Sequence, residues 1–198
     1  SFTYEAETSG ALGLGFRCGF LGLLHMNIIQ ERLEREFLLN LITTAPSVNY
    51  QVVLNNDEIA MIDNPSRLPE QNKYEAIKEP IVSLSIHVPN DFVGRIIKLC
   101  ETRRGTQQEI RYITEDRVQI IYDLPLSEMV FDFYDKLKGL TKGYASMDYE
   151  FKEYQQSDLV RLDILLNGDR VDALSLICHR ATAIYKGREL TQKLQKVI

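Results

Sequence analysis

Residues 79–105 read EPIVSLSIHVPNDFVGRIIKLCETRRG, and a change of period inside this stretch decides the fold. Val82, Leu84, Ile86 and Val88 alternate with Ser83, Ser85 and His87, which is the period of a strand with one wet face. Beyond Pro89 the spacing becomes helical, with Val93, Ile96, Ile97 and Cys100 on one stripe. Pro89, Asn90 and Asp91 suit the positive end of that helix, whereas Arg103, Arg104 and Gly105 suit its negative end and stop. The stretch is a strand, a helix and a terminator.

Downstream, two strands are expected near 109–113 and 118–124, joined by a turn at Glu115 and Asp116. A second helix opens at Pro125, shows Met129, Val130, Phe133, Leu137 and Leu140 on one side, and ends at Gly139 and Gly143. Met147, Tyr149 and Phe151 then alternate with Asp148, Glu150 and Lys152 in a closing strand. Residues 78–156 therefore spell βαββαβ, a ferredoxin-like unit with both helices on one sheet face. Upstream, 55–77 reads as a connector, because Pro65 and Pro69 forbid a central strand.

Residues 1–54 show a strand over 2–7, a second over 14–20, a helix, and a β-branched run over 41–53. The helix carries Met26, Ile29, Leu33 and Phe37 toward a core and pairs Glu31 with Arg35 one turn on. This order is a ferredoxin-like unit truncated at its N-terminus, whose first strand and helix are expected ahead of Ser1. Residues 157–198 change character again. Val160, Leu162, Ile164 and Leu166 alternate, Asn167-Gly168 signals a tight hairpin, and a return strand over 170–178 precedes a helix from Tyr185 with Leu190, Leu194 and Val197. The fold class is α+β: two ferredoxin-like units followed by a partial hairpin and helix domain.

The glycines Gly13, Gly15, Gly19 and Gly22 invite a phosphate-loop reading, which the chemistry excludes. A P-loop needs a lysine and a hydroxyl residue after its last glycine, and here Leu23 and Leu24 follow. The dinucleotide fingerprint also fails, since the spacing is GxGxxxG after a polar, alternating segment. Gly19 and Gly22 are expected to be structural and to tolerate alanine poorly. Cys18, Cys100 and Cys178 lie far apart without CxxC spacing, and His25, His87 and His179 are equally scattered, so no metal site is expected. Net charge is −5, but residues 157–198 hold seven Lys/Arg against five Asp/Glu, a net of +2 that leaves −7 for 1–156. Local basic faces, not the total, decide whether a phosphate backbone can dock.

The run GFLGLLHMNIIQERLEREF, residues 19–37, resembles the third domain of translational GTPases of the elongation factor G type, with Phe20 where that family usually has a further glycine. KEPI (78–81), FVG (92–94), RRG (103–105), LPLSEM (124–129) and GYASMDYEF (143–151) resemble the fifth domain of the same family, in the right order. In elongation factor G a long fourth domain separates the two, whereas here only the connector does. That departure fits branches of the family that join them directly, and LVRLDILLNGDRVDALSLICHR, residues 159–180, resembles the start of a C-terminal domain found in one such branch.

The resemblance implies a parent GTP hydrolase that works on the ribosome during elongation, promoting reverse translocation of tRNAs and fidelity of synthesis. GTP and magnesium would sit in a domain outside these 198 residues, so no cofactor and no small-molecule ligand are expected in this chain. It further implies rRNA and ribosomal proteins as partners, tRNA through the C-terminal domain, a monomer, and a cytoplasmic protein that also associates peripherally with the cytoplasmic membrane face. The residues themselves leave two other classes open: an effector-binding pair of ferredoxin-like modules, and an RRM-like reader of single-stranded RNA.

Arg95, Lys98, Arg103 and Arg104 are the candidate rRNA contacts, because four cations toward one helix end can track a phosphate backbone. The last two are expected to project beyond the helix end. Arg17 and Arg32 are weaker candidates. His25 matches the family's helix-opening motif and is expected to pack or hydrogen-bond. Tyr112, Tyr122 and Tyr149 could form a stacking platform of the RRM kind, although core or edge packing explains them better. Asp148 and Glu150 read as a solvated pair.

Overall fold

The computed structural model describes residues 2–195 apart from Ala11, Gly22, Ala45 and Phe131. Gly22 and Val197, both singled out in the sequence, lie outside the described residues. The chain forms two compact units, one from 1–45, 62–73 and 157–198 and one from 46–61 and 74–156.

In the first unit, β1 (Thr3–Ser9) and β2 (Gly13–Gly19) form an antiparallel hairpin that leads into α1 (Leu23–Phe37). The expected Glu31–Arg35 pair forms at 2.8 Å, and Arg32–Glu36 repeats it at 2.9 Å. His25 sits in the first turn, where its Nδ1 accepts from the Leu21 N–H at 3.2 Å and its ring meets Phe20 edge-on at 5.8 Å. It therefore reaches back from the first turn to give an acceptor to the N–H of a residue just ahead of the helix. Arg17, a weaker rRNA candidate, is internal: its guanidinium donates to Glu7 at 2.8 Å and to the Asp63 carbonyl at 2.8 Å. The hydrogen bond from Arg17, opposed by burial and helped by Asn64 and Arg67, holds the Glu7 carboxyl below the usual range.

The run over 41–53 departs from expectation. Only β3 (Tyr50–Leu54) is a strand, and it pairs with β5 of the second unit, while β4 (Ile59–Ile62) extends the same sheet. Pro46 sits inside the expected strand, where a missing N–H interrupts a ladder. The connector is correspondingly shorter, since β5 runs the full sixteen residues Tyr74–Pro89.

That long strand organises the second unit. Lys78 is the last residue paired with β3, and Ile81 is the first paired with β7 (Arg117–Pro125), so one edge of β5 changes partner across Glu79 and Pro80. A proline is tolerated mid-strand there, because no neighbour on that edge asks for its N–H. After β5 come α2 (Val93–Thr102), entered through a 3₁₀ turn at Asn90–Phe92, then β6 (Thr106–Tyr112) and β7. The second expected helix is broken into α3 (Leu126–Met129) and α4 (Phe133–Leu140), followed by β8 (Ser146–Gln156). Gly139 lies inside α4, and Gly143 at φ 82° provides the stop, with its N–H on the Lys138 carbonyl at 2.8 Å.

The strands stand in the order β8, β5, β7, β6, all antiparallel, which is the split βαββαβ arrangement. Val82, Leu84, Ile86 and Val88 meet Ile96, Leu99, Cys100, Phe133 and Leu137 in a single core. Tyr122 is buried in that core, and Tyr149 and Tyr112 stand opposite the core residues Leu84 and Val118. The opposite sheet face carries Ser83, Ser85, His87, Gln119 and Asp123 around the apolar Ile121 on its two central strands. An RRM places stacking rings on that face, so none of the three tyrosines forms such a platform.

Beyond 156, β9 (Leu159–Leu162) pairs with β12 (Leu176–His179), and β10 (Leu165–Leu166) with β11 (Asp169–Arg170). Asn167 and Gly168 join the latter pair with φ 52° and 91°, the left-handed values a two-residue hairpin turn demands. The expected single return strand is divided by a 3₁₀ turn at Asp172–Leu174, and the final helix α5 (Arg180–Gln195) starts five residues before Tyr185. No helix among the described residues is long and apolar enough to cross a membrane.

Candidate nucleic-acid interface

The four candidate cations belong to α2 and its end, but the fold divides them into two pairs. Arg95 and Lys98 are spaced by three residues and lie on the exposed side of α2, opposite the buried Ile96, Leu99 and Cys100. Arg95 rests its guanidinium carbon 5.6 Å from the centre of the Phe92 ring and donates to the Leu140 carbonyl at 3.3 Å. Lys98 makes no ion pair with a described residue.

Arg103 and Arg104 do not project. Arg103 donates to Asp132 at 2.5 Å and to the Glu128 carbonyl, leaving its side chain 16% exposed. Burial pushes the Asp132 carboxyl up, but hydrogen bonds from Lys136 and Arg103 outweigh it and hold the group below the usual carboxylate range. Arg104, at φ 60°, turns back toward β5 and grips both oxygens of Glu79, with Glu128 a further 3.8 Å away. Glu79 is only 1% exposed, so its charge needs this partner. The expectation that both heads reach past the helix end is thus corrected: a cation there has two choices, and the buried Glu79 on β5 and the half-exposed Asp132 between α3 and α4 win over solvent.

A ring completes the exposed corner. Phe92 lies against Tyr144 with centroids 6.5 Å apart and planes 24° from parallel, and Lys142 is exposed two residues before that tyrosine. Sequence reasoning passed over Phe92, Lys142 and Tyr144, although TKGY at 141–144 offered a signal: a cation and an aromatic flanking the glycine that ends a helix.

No group of His, Cys, Asp or Glu among the described residues could hold a metal ion. Burial, helped by Glu101, pushes the Cys100 thiol up to about 12, so it is inert at neutral pH. Asp148 and Glu150 are exposed on the open sheet face. The arrangement offers cationic and aromatic docking chemistry and no catalytic constellation.

The split βαββαβ unit lies almost wholly within residues 76–165, which match the family described as Elongation factor G C-terminus. All 198 residues align with two proteins named Elongation factor 4, at 59% identity to that of Halalkalibacterium halodurans and 58% to that of Oleidesulfovibrio alaskensis. Over its whole length the chain is thus similar to proteins named Elongation factor 4. It covers 32% and 33% of those two proteins, about a third of the length of the curated relatives it matches.

Proposed function

We propose that this chain is the ribosome-docking portion of a LepA-type translational GTPase acting on elongation. The observation that carries the reading is the full-length similarity to elongation factor 4, joined to an exposed pair of cations on α2 within the segment that matches the elongation factor G C-terminus. Arg95 and Lys98 meet rRNA phosphates, while Arg103 and Arg104 hold the end of α2 in place through Asp132 and Glu79. Hydrolysis belongs to the parent: GTP and magnesium bind outside these residues, where no GxxxxGK[ST] motif occurs. Reverse translocation, contact with tRNA through the region from 157 onward, a monomeric cytoplasmic state and peripheral membrane association complete the proposal for the whole protein. The RRM-like alternative is disfavoured by the polar open face of the sheet.

The chain is expected to sediment with bacterial ribosomes without GTP and to show no magnesium-dependent GTP binding by equilibrium dialysis. Failure to sediment with ribosomes at low salt contradicts the docking reading, and tight GTP binding contradicts the assignment of hydrolysis elsewhere.

A further inference from the structure

The geometry points to a nucleobase-stacking site at Tyr144, where an unpaired base of rRNA lies on the outer face of its ring. The inference rests on the docking reading and adds a contact of a different chemical kind. Tyr144 is 63% exposed, although it is backed on one side by Phe92, which in turn lies under the Arg95 guanidinium. An aromatic ring that is stiffly backed and openly faced is what base stacking uses, since every base has a π-face.

The loop is built to hold that ring out. Thr141, fully buried, donates its hydroxyl to the Leu137 carbonyl at 2.8 Å and accepts from the Ala145 N–H at 3.2 Å. The Tyr144 N–H donates to the Thr141 carbonyl at 2.9 Å, and Lys138 Nζ clamps the Ala145 carbonyl at 2.6 Å from the other side. A ring so presented loses little further freedom when a ligand arrives. Arg95, which lies over Phe92, and the exposed Lys98 and Lys142 nearest it in sequence supply cations for a phosphate backbone, beside the exposed carboxylates Asp91, Glu101 and Asp148. A cationic aromatic corner of this kind selects looped RNA, in which bases are unstacked, over a duplex.

The test compares ribosome affinity of the chain with Tyr144→Phe, Tyr144→Leu and Tyr144→Ala, each checked by a melting curve. The expected result is retention within twofold for Tyr144→Phe and a loss of about five- to hundredfold for the other two, at an unchanged salt slope. Benzoylphenylalanine placed at position 144 is expected to crosslink to rRNA. Wild-type affinity in Tyr144→Leu overturns the stacking site, as does an equal loss in Tyr144→Phe, which would assign the contact to the hydroxyl. Crosslinks to ribosomal protein alone also overturn it. In each of these cases loss of affinity in Arg95→Gln/Lys98→Gln leaves the docking reading standing, whereas no binding by the wild-type chain removes both.

Discussion

Arg104→Met is expected to cost about 3–5 kcal/mol of folding stability. The substitution keeps the stem and removes the charge that grips Glu79, which is 1% exposed on β5. A buried carboxylate left without its partner is far costlier than the pair is favourable, because desolvation has already been incurred. The double replacement Glu79→Leu/Arg104→Met should recover much of the loss. Urea midpoints of the single and double variants check this, and a single variant within about 1 kcal/mol of wild type would mean that solvent reaches Glu79. Arg104 at φ 60° follows the end of α2, where the Gly105 N–H closes on the Cys100 carbonyl at 2.9 Å.

Gly105→Ala is expected to destabilise by about 1–3 kcal/mol, through overpacking. A Cβ there would stand 2.7 Å from the Cys100 carbonyl oxygen and 2.9 Å from Cδ1 of Tyr122. Neither can yield easily: the carbonyl accepts the N–H groups of Arg103 and Gly105 at 3.0 and 2.9 Å, and Tyr122 is buried in the core. Gly19→Ala makes the instructive contrast. Its Cβ meets only the Thr3 hydroxyl, at 2.6 Å, and Thr3 is an exposed residue that can rotate. Equal urea midpoints for Gly105→Ala and wild type would show that the close approach is not a constraint.

These two residues mark where sequence reading succeeded and where it stopped. Periodicity located β5, α2 and β7, because alternation and the helical stripe are imposed locally by the buried face. The Asn167-Gly168 turn was equally legible, since few residues adopt φ values of 52° and 91° in succession. What failed was long-range. Nothing in LITTAPSVNYQVV says that β3 pairs with β5 and not with the hairpin before it. Likewise the sequence shows two arginines at a helix end but not the carboxylate 25 residues earlier that claims one of them. Alanine was expected to be tolerated poorly at Gly19 and Gly22; Gly22 lies outside the described residues, Gly19 meets a side chain, and crowding against backbone occurs at Gly105. At the candidate interface, Arg95 and Lys98 were legible as cations, whereas the ring pair Phe92 and Tyr144 joins the turn before α2 to the loop after α4 and exists only once the chain is folded.

The central claim is that the exposed cations of α2 dock the protein on RNA, and the salt dependence of ribosome binding tests it most directly. Affinity of the chain and of its Arg95→Gln/Lys98→Gln variant should be measured at several monovalent salt concentrations, with melting curves to confirm that both are folded. Removing two phosphate contacts is expected to weaken binding at low salt and to make the slope of log K against log salt shallower by about 1.4 to 1.8. A variant that binds with the wild-type affinity and the wild-type slope would contradict the account.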